Sequence, residues 1–216
     1  MKLFLFLLLP LTLAAQSWTH ALSSLDGLKT AGAKAEAVTY KGKPAVRITA
    51  AAADGNVIPV AGPQFRDGTI EIEVAGDLAP GAGEAARGFV GLAFRVLSDS
   101  GRYECFYLRP TNGRANDQVR RNHSLQYVSE PEFPWHRLRK ESPEKYESYA
   151  DLVPGEWTRM RIEVRGSQAR LYVNGAEQPS LIVNDLKLGA GAQGGIALWI
   201  GPGTLAHFAN LKVTAE

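Results

Sequence analysis

Cysteine is nearly missing from this chain: Cys105 stands alone. One thiol closes no internal disulfide, so the folded state has to be held by packing, and the plain expectation for Cys105 is a small buried hydrophobe. An excess of one charge is also missing. Twenty-four Lys and Arg face 22 Asp and Glu, a formal net charge of +2, which argues against a general nucleic-acid binder, since that needs a strongly basic face. No stretch carries a sustained 3.6-residue apolar stripe, so long amphipathic helices are not expected. Tight metal-ligand spacing is lacking as well. His123 and His136 lie thirteen residues apart, with Asp117 and Glu141 nearby, so no metal site and no cofactor are expected. A structural calcium held by loop oxygens would leave no motif here.

Long hydrophobic runs are limited to one. Met1-Lys2, the uncharged stretch Leu3–Leu13 and the small residues Ala14-Ala15-Gln16-Ser17 make a secretory signal peptide over residues 1–15, too short to remain as a membrane span. Its removal takes one lysine and leaves a charge near +1. The mature chain, residues 16–216, is expected to be exported, either secreted or periplasmic, with no membrane contact after cleavage.

What is abundant is alternation. Ile70, Ile72 and Val74 alternate with Thr69, Glu71 and Glu73. Val90, Leu92, Phe94 and Val96 alternate with Gly91, Ala93 and Arg95. Met160, Ile162, Val164 and Ala169, Leu171, Val173 follow the same rule, as do Ile196, Leu198 and Ile200. Each run reads as a strand with one face in a core. Arg165-Gly166-Ser167, Asn174-Gly175, Ser98–Gly101 and Thr111-Asn112-Gly113 read as turns. Many antiparallel strands with short connections predict an all-β fold, a two-sheet antiparallel sandwich in one domain. The stretch from about 110 to 152 departs from this pattern. It reads as one long inserted loop region, polar and aromatic, with only Ser124–Val128 as a short strand. Insertions of this kind usually carry function.

Phe65–Val74, Gly88–Val96, Gly155–Gly175 and Gly194–Val213, in that order, resemble the concanavalin A-like lectin/glucanase superfamily, over roughly Leu25 to Val213. Within it the chain is most similar to laminin-G-like bacterial exported domains of the 3-keto-disaccharide hydrolase and family-16-like type. The resemblance implies a jelly roll whose concave sheet carries a sugar site. It leaves the activity open, because the superfamily holds lectins, hydrolases, lyases and spacers.

Three functions follow as expectations. The first is a secreted domain that binds a glycan on the concave face. The second is an enzyme acting on glycosides, a family-16-like hydrolase or a keto-sugar hydrolase or lyase. The third is a laminin-G-like adhesion domain. Family-16 enzymes need a strand with spaced acids on one face. Glu71-Ile72-Glu73 lacks the middle acid and reads as a solvated strand face. The mixed-sign run Arg137–Glu147 also reads as a solvated face. Aromatic rings for sugar C–H faces and planar donors for hydroxyls point instead to Arg95, Tyr103, Tyr107, Arg109, Arg114, His123, Gln126, Tyr127, Trp135 and His136 as ligand-binding residues. Trp199 either lines that site or plugs a sheet edge. Arg109, sharing strand parity with Tyr103 and Tyr107, is expected either to pair with an acid such as Glu104 or Asp117 or to meet the ligand, and its loss is expected to weaken binding more than folding. The expected partner is a carbohydrate; nothing in the sequence sets the oligomeric state.

Expression with export should yield a protein whose N-terminal sequencing begins near Gln16. A retained Met1 on the exported material would refute the leader.

Overall fold

The computed structural model describes residues 16–30, 33–50, 56–98 and 101–216. The leader at 1–15 and the centre of the Ser98–Gly101 turn lie outside the described residues. In chain order the elements are β1 (Gln16–His20), β2 (Lys34–Tyr40), β3 (Lys43–Thr49), β4 (Asn56–Phe65), β5 (Gly68–Leu78), β6 (Val90–Val96), β7 (Tyr103–Leu108), α1 (Pro110–Gly113), α2 (Gln118–Asn122), β8 (Leu125–Glu130), α3 (Trp135–Glu141), β9 (Glu147–Ser148), β10 (Thr158–Arg165), β11 (Gln168–Val173), β12 (Leu181–Val183), β13 (Gly194–Ile200) and β14 (Thr204–Ala215).

Period-two burial sets the architecture. β5, β10 and β11 present Ile70, Ile72 and Val74, then Met160, Ile162 and Val164, then Ala169, Leu171 and Val173 to one interior. These residues pair directly: Ile72 with Met160, Ile162 with Leu171. The sheet they belong to runs β12-β11-β10-β5-β14-β3-β2, with β1 added along β14. The second sheet runs β4-β13-β6-β7-β8-β9 and turns Val90, Leu92, Phe94, Phe106, Ile196 and Leu198 toward the first. The strand pairings among the described residues are antiparallel. The two-sheet sandwich expected from the sequence is therefore present. Gly166, at φ +56°, sits in the two-residue turn between β10 and β11, and Asn174 and Gly175 both take positive φ, as the dipeptide suggests.

Bulges change strand parity where the sequence gives no warning. In β14 the register shifts between Ala209 and Lys212, with Asn210 at φ +54°. Ala206 and Phe208 before it, and Leu211 and Val213 after it, consequently all reach the core. In β6 the residue at the irregularity is Arg95, at φ +51°. This overturns its assignment to the ligand face. Arg95 is fully buried and its guanidinium donates to the carbonyls of Arg66 (3.0 Å), Gly189 (2.9 Å) and Gly166 (2.8 Å), with Asp67 at 3.3 Å. It pins the β10–β11 turn and two loops together at one end of the sandwich and leaves nothing for a ligand. Glu71 and Glu73 lie on the outer face of the first sheet. Glu73 pairs with Lys43 at 2.6 Å and Glu71 with Lys212 at 3.7 Å, which is the solvated face expected of them.

The inserted region is not one loop. It folds into α1, α2 and α3, while β8 and β9 extend the second sheet. Thr111-Asn112-Gly113 is helical, within α1, rather than a free turn. Helices of four to seven residues are too short to leave a periodic signature in the sequence.

On the outer face of the first sheet His207 is stacked on Tyr40 with ring centroids 3.6 Å apart. Burial, then the charge of Arg47, lowers its pKa to about 4, with Glu36 opposing. The imidazole is neutral in the folded protein at pH 7. Because the folded pKa lies below the unfolded one, stability is full above about pH 6.5 and falls as pH drops toward 4, by up to about 3 kcal/mol. Urea melts between pH 4 and 7 should show this loss, and His207→Gln should flatten it in that window.

Candidate functional site

One row of residues crosses the outer face of the second sheet. Pairing places Trp199 of β13 beside Gly91 of β6, Gly91 beside Tyr107 of β7, Tyr107 beside Gln126 of β8, and Gln126 beside Glu147 of β9. Gly91 decides what the row can do. A Cβ there would lie 2.5 Å from Tyr107 Cβ and 2.3 Å from the Phe106 carbonyl. Its absence lets Trp199 and Tyr107, two strands apart, stack directly with centroids 4.4 Å apart. Phe89 meets Tyr107 edge-on at 6.1 Å, and the Trp199 indole N–H donates to Tyr103 Oη at 3.3 Å. The next row along, Ala197, Ala93, Cys105 and Val128, is small and buried.

Above this floor opens a cleft of about 750 Å³. The loop before β6 and helices α1 and α2 bring Arg87, Asn112, Arg120 and His123 to it. The start of α3 brings Trp135, His136 and Arg139, and the end of β8 brings Glu130. Trp135 is 44% exposed, with the Arg139 guanidinium 4.9 Å from its ring. The aromatic surface available to a ligand is therefore split between the floor and the α3 wall.

The polar centre is built on Glu147. This buried carboxylate accepts from Arg109 Nη1 at 3.1 Å and from Arg139 Nε at 2.9 Å. His123 Nδ1 lies 3.1 Å from Glu147 Oε2, within ion-pair reach but without hydrogen-bond alignment. Burial alone would raise the Glu147 pKa, but the Arg139 hydrogen bonds and the Arg109 charge outweigh it and hold the group ionised. Burial lowers the His123 pKa. Glu147 opposes that and the two arginines reinforce it, so the imidazole is neutral near pH 7. Glu130 differs: burial raises its pKa with only His136 opposing, and no hydrogen-bond partner holds it among the described residues.

Of the residues singled out by sequence, Tyr107, Arg109, His123, Trp135 and His136 meet at this cleft. Tyr103 lies beside its floor. Gln126 shares the face but is used up beneath it: Oε1 accepts from Arg109, and Nε2 donates to the carbonyls of Tyr127 and Tyr146. Arg114 does not line the cleft. It pairs with Asp151 on the exposed side of α1, at 2.7 Å. Tyr127 is a correction. It is opposite Phe106 on the core side of β8, fully buried, with its hydroxyl between Glu104 and the Lys187 N–H. Neither acid named for Arg109 is its partner. Glu104 is on the core side of β7, accepting from the Leu188 N–H at 2.7 Å, and Asp117 caps α2. The sequence singled out neither Arg87 nor Arg120, read Asn112 as part of a turn, Arg139 as part of a solvated face and Glu130 as part of a Pro-rich loop; only the fold brings the five to one place. No group of three or more His, Cys, Asp or Glu placed to hold a metal occurs among the described residues.

Sandwich and cleft together define the class, a concanavalin A-like β-sandwich. Solved structures of this fold include the carbohydrate binding module CBM66 from Bacillus subtilis, 14% identical with TM-score 0.60 over 87% of this chain and 95% of that one. A Bacillus subtilis protein of unknown function with a galectin-like fold is 13% identical, TM-score 0.56, over 93% and 98%. A glycosyl hydrolase described as putative, from Parabacteroides distasonis, is 12% identical, TM-score 0.55, over 89% and 90%. These identities establish shared fold alone. Among curated proteins no sequence matches the chain. The particular family is given by its sequence model: the chain belongs to the 3-keto-alpha-glucoside-1,2-lyase-like domains, matched over residues 23–214.

Arg109 is a structural ion at this site. Its four polar contacts reach Glu147, Tyr107 Oη, Gln126 Oε1 and the His123 carbonyl. Arg109→Ala leaves Glu147 with Arg139 as its remaining guanidinium partner and takes their donor from Gln126 Oε1 and Tyr107 Oη in a buried site, so denaturant melts should record a loss of about 2–4 kcal/mol, well above that of a surface change. A loss under about 1 kcal/mol would contradict this placement.

Proposed function

We propose that this is an exported carbohydrate-associated protein that binds a saccharide, without a cofactor, in the cleft over Tyr107 and Trp199. The observation that carries the reading is the split aromatic surface. The half-buried Trp199, backed by the buried ring of Tyr107, and the exposed Trp135 line the same polar cleft. Pyranose rings have apolar C–H faces that rest on such rings, while their hydroxyls need the donors and acceptors that Asn112, His123 and His136 bring. The floor is preorganised: Tyr107 is buried and fixed by Arg109, so little side-chain entropy is lost on binding. The family membership and the carbohydrate-related folds support the same ligand class.

A second reading has its own observation. His123 is a neutral imidazole in the cleft whose Nδ1 faces an ionised carboxylate, the arrangement of a general base, with arginines at hand to stabilise developing negative charge. Proton abstraction beside a sugar ketone fits that set and the description of the family.

Titration calorimetry of residues 16–216 against neutral oligosaccharides and 3-keto-α-glucosides tests both. Trp135→Ala should weaken binding by about 1–3 kcal/mol with an unchanged melting curve. Unchanged affinity would move the site elsewhere. Turnover of the keto-glycosides, rising with pH through the depressed His123 pKa and lost in His123→Gln, would establish the second reading; binding without turnover leaves the first.

A further inference from the structure

One wall of the cleft carries more positive charge than the protein neutralises. Four arginines line the cleft, and the acids that meet them are Glu147, already shared by Arg109 and Arg139, and Glu130 on the opposite wall. Arg87 and Arg120 have no carboxylate partner among the described residues. Arg87 Nη1 donates to the Ala86 carbonyl at 2.6 Å and to that of Glu84, which fixes one nitrogen and leaves Nε and Nη2 without a protein acceptor. Arg120 makes only a long contact, Nη2 to Asn112 Oδ1 at 3.4 Å.

These groups belong to one connected wall. The Thr111 N–H donates to the Arg87 carbonyl at 3.3 Å, Asn112 Nδ2 donates to the His123 carbonyl at 3.2 Å, and Arg109 Nη1 donates to that same carbonyl at 2.9 Å. Burial, and then the charges of Arg120 and Arg109, work against the cationic form of Arg87. Arg87 is half-buried and Arg120 exposed at the rim of the cleft. Like-charged guanidinia repel, less strongly where water reaches them, and an anion placed between them turns that repulsion into attraction.

We propose that the saccharide taken by this cleft carries an anionic substituent, a carboxylate, sulfate or phosphate group, held by Arg87 and Arg120 while the sugar ring lies against Trp199 and Trp135. The proposal rests on the reading of the cleft as a saccharide site and adds its ligand class. Open guanidinium donors match the paired oxygens of such groups.

The test is calorimetry on the mature protein with matched pairs, a neutral oligosaccharide against its uronate, sulfated and phosphorylated counterparts. The acidic member should bind about tenfold or more tightly at low salt, as expected for a charge-assisted contact. That advantage should shrink as salt rises toward about 0.5 M, because screening acts on it and not on ring stacking. Arg87→Gln and Arg120→Gln should bring the acidic ligand down to the neutral one and leave neutral binding unchanged. Melting curves report whether each variant folds, and the salt series on the unsubstituted protein needs no variant. Equal, salt-independent affinity for both members overturns the anionic class while the saccharide site stands. Absence of binding by every member of both series overturns the saccharide site and this inference with it. Ranking among the three acidic arms identifies which anion is read.

Discussion

The cleft depends on one buried carboxylate. Glu147 lies on β9, the edge strand of the second sheet, and draws to itself Arg109 from the end of β7, Arg139 from α3 and His123 from the end of α2. Three separate segments of the excursion between β7 and β10 therefore converge on one charge. Removing it would leave the buried Arg109 guanidinium without a counter-ion beside the part-exposed one of Arg139, an arrangement that low local dielectric makes costly. The apolar anchors of this region are few, chiefly Leu125, Leu138, Tyr146 and Leu152. The sandwich proper is held by hydrophobic burial between sheets, whereas the wall of the cleft is held by a short list of directional contacts. Such contacts fix geometry more sharply than they add stability, which suits a surface that must present side chains to a ligand.

The floor obeys a different constraint. Neighbouring strands stand about 4.8 Å apart, so residues two strands apart meet only if the one between them has no side chain. Gly91 satisfies this, and the Trp199–Tyr107 stack follows from it. Floor and wall meet at Tyr107, whose ring packs in the floor and whose hydroxyl accepts from Arg109. The aromatic platform and the polar centre are thus mechanically one object. A change at Glu147 would be felt at the ring through a single intermediate side chain.

Much of the sandwich was legible because its signal is local. Period-two alternation named the core faces of β5, β6, β10, β11 and β13, and Arg165-Gly166-Ser167 and Asn174-Gly175 announced their own turns. The failures share a cause. Arg95 alternates correctly with Phe94, but the bulge at that point sends it inward to four backbone and side-chain acceptors. Gln126 and Tyr127 were both read as facing the ligand, which neighbours in an extended strand cannot do; β8 turns Tyr127 to the core. The run Arg137–Glu147 looked uniformly solvated. Its pair Arg137–Glu141 is the exposed i,i+4 contact expected, but Arg139 and Glu147 carry the centre of the cleft. Sequence gives the sign of a charge and not its burial, and burial separates those two pairs.

Two titratable groups of the cleft, Glu130 and His123, are displaced in opposite directions. Burial raises Glu130, which stands on the α3 side with His136, and lowers His123, which stands on the opposite side over Glu147. Each shift disfavours the charged form: burial eases protonation of the carboxyl on one wall and keeps the imidazole on the other neutral. Keeping a half-buried carboxyl without a partner works against folding. Groups whose environments push their pKa values toward one another can exchange protons with a ligand lying between them. A neutral imidazole beside Glu147 and a carboxyl of raised pKa beside His136 give the cleft a chemical polarity from one wall to the other. That polarity distinguishes this cleft from a plain stacking platform.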